Sequence, residues 1–387
     1  MNQVGRDRLR RMSTSVVVMT AGCAVAITLL TAGAGALERT RTISVSASPN
    51  VGKHDNFFGG ISCPGQKLCL AVGSGSAGSV DRSLVEKWNG VAWAIASSPN
   101  VGSNYNDLNG ISCASSTECF AVGDWYTGST DRTLIEKWDG THWTRVSSPN
   151  RGSHDILESV ACPAPSLCFA VGTWVLAGTH TLIERWNGTN WTVVTSPNGG
   201  TENDLNGVAC PTSRFCVAVG DGESATPYRT LAEKWTGHAW TVVPSANPAP
   251  NDSYLLHVSC ISTTFCVATG NQATTKYGVL IERWTGKSWL TMTSPDKGAH
   301  NNYSQGVSCH SATSCVVTGR WHQGTSDRTL VERWNGHAWT IAPSPNVGSG
   351  DNALNAVAYV PGPGGHFKMV GYSASGIYDR TLIESGP

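Results

Sequence analysis

The sequence predicts an all-β fold: a seven-bladed β-propeller of four-stranded antiparallel blades, closed by its N-terminal strand. Three observations carry that expectation. A unit of 48 to 50 residues recurs along the chain, each copy holds four strand-like runs divided by turn residues, and the chain ends hold complementary pieces of one unit.

The unit is plainest between Leu108 and Asn150, where LNGISC, CFAVGDW, TLIEKWDGTHWTRV and SSPN follow one another. A Val/Ile-Ser/Ala-Cys triplet places cysteines at Cys63, Cys113, Cys162, Cys210, Cys260 and Cys309, and Ala356-Val357-Ala358-Tyr359 is a seventh copy without the cysteine. The glutamate of TLIE recurs as Glu86, Glu136, Glu184, Glu233, Glu282, Glu332 and Glu384. With 43 glycines, 15 tryptophans and only 14% charged residues, the composition favours short strands and turns over helices.

Within the unit, strand A ends at the first cysteine and strand B runs from Cys119 to Gly123. Strand C covers Thr133 to Trp138, and strand D starts at Trp143 and stops at Pro149, which has no amide to donate. Asp139-Gly140 separates C from D, with Asn89-Gly90, Asn187-Gly188 and Asn335-Gly336 elsewhere. These dipeptides tolerate the positive φ of a primed hairpin turn. The last copy stops at Thr381-Leu382-Ile383-Glu384 and lacks strand D, whereas Ile43 to Asn50 reads as a D strand without its unit. Joining the two ends closes a ring and removes exposed sheet edges.

Twelve of the 13 cysteines form Cys-x5-Cys pairs: Cys63/Cys69, Cys113/Cys119, Cys162/Cys168, Cys210/Cys216, Cys260/Cys266 and Cys309/Cys315. Each pair spans an A–B hairpin, and a disulfide there removes about 2 kcal/mol of unfolded-state freedom. Metal binding would need a second cysteine or histidine pair, which the unit does not offer. In the seventh copy Tyr359 and Phe367 take the cysteine positions, so an aromatic cross-strand pair is expected.

The N-terminus reads as an export signal over residues 1–36, leaving a propeller over 37–387. Arg6, Arg8, Arg10 and Arg11 precede the apolar stretch Val16 to Leu30, and Ala34-Gly35-Ala36 supplies small residues for cleavage. An uncleaved anchor tethering the protein to the membrane is the alternative, and Cys23 lies inside the apolar stretch, unlike a lipobox cysteine. With 27 basic and 27 acidic residues, nothing marks the chain for nucleic acid or an anionic membrane. A secreted monomer without cofactor or metal is expected.

The period and the Trp-Asn/Asp-Gly-x-x-Trp hairpin resemble kelch and galactose-oxidase-type propellers, although the kelch double glycine and its Tyr-to-Trp spacing are not reproduced. The chain is also similar to a set of uncharacterised secreted bacterial proteins. The shared run is Ser112-Cys113, Cys119-x-Ala121-Val122-Gly123, Thr133-Leu134-Ile135-Glu136-x-Trp138, Trp143 and Pro149-Asn150. That resemblance implies fold and export and brings no activity.

In such a blade the D–A and B–C connections share one face, where ligands bind, and the disulfide hairpins are expected on the opposite face. The B–C loops are expected to offer Trp125, Tyr126, Trp174, Trp321, His322 and Tyr372. The D–A loops offer His54, Asn104, Tyr105, His154, Asp155, Asn203, Asp204, Tyr254, His300, Asn302 and Tyr303. Aromatic faces beside amides and carboxylates suit a glycan; ordinary solvated loops are the plain alternative. The sevenfold glutamate reads as a structural device, with Arg82, Arg132, Arg229, Arg328 and Arg380 as expected partners. No two-carboxylate pair stands apart from the repeat, and the histidines follow no ligand spacing. The Asp/Asn-rich segment Asn104 to Asn109 has the composition to hold calcium, although it lacks an EF-hand register. These readings favour a non-enzymatic glycan-recognition module, with an extracellular protein-binding scaffold and a sialidase-like enzyme as alternatives.

Overall fold

The computed structural model describes residues 42–198, 200–223, 227–247 and 250–386. The expected export segment lies outside them. Twenty-eight strands and no helix make up the described residues. The A strands are Asn56–Gly65, Asn106–Ser115, His154–Ala164, Glu202–Thr212, Ser253–Ser262, Asn302–Ser311 and Asn352–Val360. Each opens an A–B–C–D antiparallel set, as in Asn106–Ser115, Glu118–Tyr126, Asp131–Trp138 and Trp143–Val146. Five sets stand as separate four-stranded sheets. The other two share one eight-stranded sheet, joined by a single parallel pairing of His154 with Asp131.

Every A strand packs against the A strand of the following set, and Asn352–Val360 packs against Asn56–Gly65, so the sets form a closed ring. Every A strand carries a bulge at one shared position, such as Leu108/Gly110 or Leu255/His257, and all but the last a second irregularity near the A–B turn. At Asn109, Asn206 and Asn355 the bulged residue reaches the next A strand, donating its amide to the carbonyls of Leu157, Leu255 and Phe58. The Ser of Ser-Cys joins neighbours too: the Cys113 and Cys162 amides donate to the Ser62 and Ser112 hydroxyls. Apolar cores lie between adjacent sheets. Leu70, Val72 and Val85 of the first set, for example, pack with Leu108, Ala121, Leu134, Trp138 and Trp143 of the second.

The ring closes as the chain ends require. Ser44–Ser46 pairs antiparallel with Tyr378–Gly386, setting Val45 opposite Glu384. Across this seam Phe58, Ile61 and Leu84 pack with Ala356, Val370 and Ile383. A second device marks the seam. In the first four sets a C-strand cation lies over a tryptophan of the next set, as Lys87 over Trp138 at 4.8 Å and Lys137 over Trp186 at 5.3 Å. In the last set Ser385 holds that position, and Lys368 of strand B supplies the cation, its Nζ 4.1 Å from the Trp88 ring centre.

All six Cys-x5-Cys disulfides are formed: Cys63–Cys69, Cys113–Cys119, Cys162–Cys168, Cys210–Cys216, Cys260–Cys266 and Cys309–Cys315. They sit beside the A–B turns, at the end of each set away from the D–A and B–C connections. The strand B partners Cys69, Cys119, Cys168, Cys216, Cys266 and Cys315 are at most 1% exposed and belong to the apolar cores between neighbouring sets. Strand B is an inner strand, flanked by A and C, and each of these cysteines stands in register with a C-strand tryptophan, as Cys69 with Trp88 and Cys168 with Trp186. The strand A partners Cys113, Cys162, Cys210, Cys260 and Cys309 are only half-buried. The disulfides are therefore staples with one half in the core between neighbouring sets.

Tyr359 and Phe367 face each other in register with ring centres 5.3 Å apart, the expected aromatic replacement. The C–D turns differ from expectation. The loop holds four residues between paired tryptophans such as Trp88 and Trp93, and only the glycine takes a positive φ, 97° at Gly90. The asparagine instead accepts two backbone amides, those of Val91 and Ala92, at 2.9 Å.

Candidate functional site

The B strands run further than Gly123 and its equivalents, because B and C pair as long hairpins with Trp125 opposite Arg132 and Tyr126 opposite Asp131. Trp125, Tyr126, Trp174, Trp321, His322 and Tyr372 therefore sit on strand ends rather than in loops. All six are half-buried. Each tryptophan carries a cation of the chain: Arg145 lies 5.4 Å from Trp125, Arg151 4.9 Å from Trp174 and Lys297 4.6 Å from Trp321. His180 stacks on Trp174 at 4.6 Å.

Several D–A loop candidates prove structural. Asp155, Asn203 and Asn302 are fully buried and accept amides of their own loops, those of Arg151, Gly200 and Lys297. Asn56, Asn106 and Asn352 do the same for Val51, Val101 and Val347. A buried asparagine that closes the loop before its strand satisfies amides that would otherwise be lost to water. The expected arginine–glutamate pairing is not found. Arg82, Arg132, Arg229, Arg328 and Arg380 donate to loop carbonyls, such as Gly102, Gly152, Pro250, Gly350 and Gly52.

The glutamates are held by serines instead. Ser48 donates to Glu86, Ser98 to Glu136, Ser148 to Glu184, Ser196 to Glu233, Ser245 to Glu282, Ser294 to Glu332 and Ser344 to Glu384, at 2.6–2.9 Å. Each serine follows a D strand and each glutamate belongs to the next set, so the bond crosses between neighbours. All seven carboxyls are fully buried, which pushes them up, to about 8 in every case but Glu282, where the direction is the same.

Among the positions that depart from sevenfold equivalence, one register lies at the open end of the A–B hairpin, away from its turn and toward the D–A and B–C connections. It pairs Phe57 with Ser74, Asp107 with Asp124, Ile156 with Thr173, Asp204 with Asp221, Tyr254 with Asn271, Tyr303 with Arg320 and Ala353 with Tyr372. Two facing aspartate pairs are thus present that the linear sequence did not reveal. Around Arg320, only 4% exposed, the Asp327 carboxylate lies 3.0 Å from Nε and the Tyr303 ring 5.0 Å from the guanidinium. His322 Nδ1 is 3.0 Å from the other Asp327 oxygen. Burial pushes Tyr372 up to about 12, with Arg320 opposing.

A second cluster surrounds the His154–Asp131 pairing. The Tyr105 hydroxyl donates to the buried Asp131 carboxylate, His154 Nδ1 lies 2.7 Å from its other oxygen, and the Tyr126 ring stacks on Tyr105 at 5.2 Å. Burial, then Asp131, raise Tyr105. In both clusters an aspartate fixes a histidine ring. Among the described residues no group of three or more His, Cys, Asp and Glu side chains is placed to hold a metal.

No protein-family model and no curated protein matches this chain. Its fold is shared with solved propellers. YCF48 bound to D1 peptide is similar with a TM-score of 0.54 and 11% identity, over 90% of this chain and 95% of that one. Chaetomium thermophilum Sqt1 bound to the N-terminus of the ribosomal protein L10 gives 0.50 and 10%, over 84% and 85%. The GH74 xyloglucanase from Xanthomonas campestris gives 0.52 and 12%, over 86% of this chain and 53% of that one. At such identities the likeness is one of fold.

Proposed function

We propose that the chain is an exported, non-enzymatic recognition module, a seven-bladed ring that holds a glycan on its loop-bearing end. Seven blades follow if each half of the eight-stranded sheet counts as one. Export is supported by the basic and apolar N-terminal pattern and by six disulfides, which persist in oxidising compartments.

The observation that carries the binding reading is the division of labour among polar side chains. Those that recur hold the ring together: glutamates on serines, arginines on loop carbonyls, buried Asn or Asp side chains on loop amides. The position that varies lies at the loop end, with Tyr254, Tyr303, Arg320 and Tyr372 in the fifth to seventh repeats and Asp107, Asp124, Asp204 and Asp221 in the second and fourth. Ring closure does not require that variation. Aromatic faces, carboxylates and histidines beside Trp125, Trp174 and Trp321 suit a hydroxyl-rich ligand.

A glycan array with a parallel hydrolysis screen on the mature protein tests this. Binding without cleavage, lost in Trp321→Ala and His322→Ala at little cost in melting temperature, is the expected result. Cleavage would favour an enzyme. A second reading, a protein partner, is favoured by YCF48 and Sqt1, whose propellers are seen with a peptide and a protein N-terminus. Binding to a peptide library and to no glycan would establish it instead.

A further inference from the structure

We propose that the ring is closed most tightly in acid and slackens as the pH rises past neutrality, the seam between Ser44–Ser46 and Tyr378–Gly386 opening first. The geometry begins with the carboxyls. Glu86 accepts from Ser48, whose hydroxyl lies 2.7 Å from that of Thr381, which in turn reaches the Pro49 carbonyl at 3.4 Å. The same chain recurs as Glu184–Ser148–Thr133 and Glu233–Ser196–Thr181, with both hydroxyl–hydroxyl distances 2.6 Å. A neutral carboxyl can accept from the serine without placing a charge in the interface. A carboxylate accepts the same bond but leaves a charge fully buried between neighbouring sets.

Cations do not come to its aid. Near Glu86, Arg82 is bound to the carbonyls of Gly102 and Asn104, and Lys87 lies over Trp138. Across the seam, Arg380 is bound to the carbonyls of Gly52 and Lys53, and Lys368 lies over Trp88. Asp155 beside Glu184 and Asp296 beside Glu332 add repulsion. Burial raises Glu86 from 4.5 to about 8 and the Ser48 hydrogen bond only partly opposes it. A folded-state value above the unfolded one means that the stabilisation is complete below about 4.5 and is lost as the pH rises through about 8.

The seam yields first because of its covalent break and its missing disulfide, on a strand no longer than the shortest D strands elsewhere. That strand is covalently separate from the rest of its set, and Tyr359 and Phe367 stand where the other sets have a disulfide. One of the seven carboxyls also grips the segment that follows it, Glu86 through Ser48.

Hydrogen exchange of the mature chain at pH 5 and pH 8, corrected for intrinsic rates, tests the proposal. The opening constant of Ser44–Pro49 should rise by up to about tenfold per pH unit for each glutamate released, while Glu118–Tyr126 changes less. Glu86→Gln, which keeps an acceptor for Ser48, should flatten the seam response, and Glu184→Gln should leave it intact. Should the first variant fail to fold, infrared spectra of the wild type must show protonated carboxyl groups at pH 7 that vanish reversibly by pH 9. Seam exchange equal at both pH values, or no protonated carboxyl at neutral pH, overturns the proposal.

Discussion

Substituting Gly123 by alanine tests the reasoning behind the ring more severely than any change on its surface. A Cβ there would be driven into the Asp107 carbonyl oxygen and lie 2.9 Å from the Leu108 Cα. Both obstacles are backbone, so no rotamer change relieves the overlap. Strand A cannot retreat either, because a Cβ on its Gly110 would already stand 2.8 Å from the Glu158 carbonyl of the next set. Overpacking typically costs about 1–3 kcal/mol, and with no route of relaxation Gly123→Ala should fall at about 3 kcal/mol or above. Gly65→Ala is the control, since a methyl group there meets nothing within 4 Å and the residue has no positive φ. It should be neutral or gain about 0.5 kcal/mol through the unfolded chain. Urea titrations followed by tryptophan fluorescence give both values. The account of the bulged inner strand is wrong if Gly123→Ala unfolds within about 0.5 kcal/mol of Gly65→Ala.

Four further outcomes are expected. Mass spectrometry of exported protein should find the six intra-hairpin disulfides; free thiols at most of the twelve positions would refute that pairing. Deleting Ile43 to Ser48 removes the strand paired with Tyr378–Gly386 and should sharply lower the melting temperature, and an unchanged melt would contradict closure through that strand. Ser148→Ala should cost about 1–2 kcal/mol in thermal melts. Its penalty should grow toward alkaline pH, because the lost bond favours the ionised Glu184; a penalty flat from pH 5 to 9 would argue otherwise. Trp143→Ala, at a core position, should cost about 3–5 kcal/mol, and half-buried Trp174→Ala clearly less; equal losses would make Trp174 core.

The fold was legible because the last repeat alone lacks its fourth strand until the ends meet, a pattern visible in Ile43 to Asn50 and Thr381 to Glu384 without coordinates. Local period and turn residues located the strands, but not their ends. Trp125 and Tyr126 follow a glycine and look like loop residues, yet hairpin pairing with Arg132 and Asp131 extends the strand through them. The disulfide pairs were legible from spacing, but not the burial of Cys216 or Cys266, which depends on the neighbouring set packed against strand B. Partners across neighbours were hidden for another reason. Ser148 and Glu184 are 36 residues apart, and a serine before Pro-Asn reads as turn chemistry. The narrow spacing from that serine to the next glutamate, 36 to 40 residues, was the available signal. Burial of Asn203 and Asn302 was invisible, since an asparagine opening a strand looks solvated until its loop folds around it. The pairs Asp107/Asp124 and Tyr303/Arg320 could have been found by aligning the repeats and asking which column refuses to agree.

The serine-to-glutamate bond means that the heritable unit differs from the blade. One blade's stability is written partly in the segment that belongs to its predecessor, so a blade cut out alone would leave a broken bond on either side. A duplicated sequence repeat, by contrast, arrives with its own serine, glutamate and cysteine pair, and inserts without leaving any of them unmatched. A ring with one repeat more or fewer would keep every such bond matched. Each new copy also contributes one more freely variable place at the loop end, where selection can try a tyrosine, an arginine or an aspartate without disturbing what holds the ring.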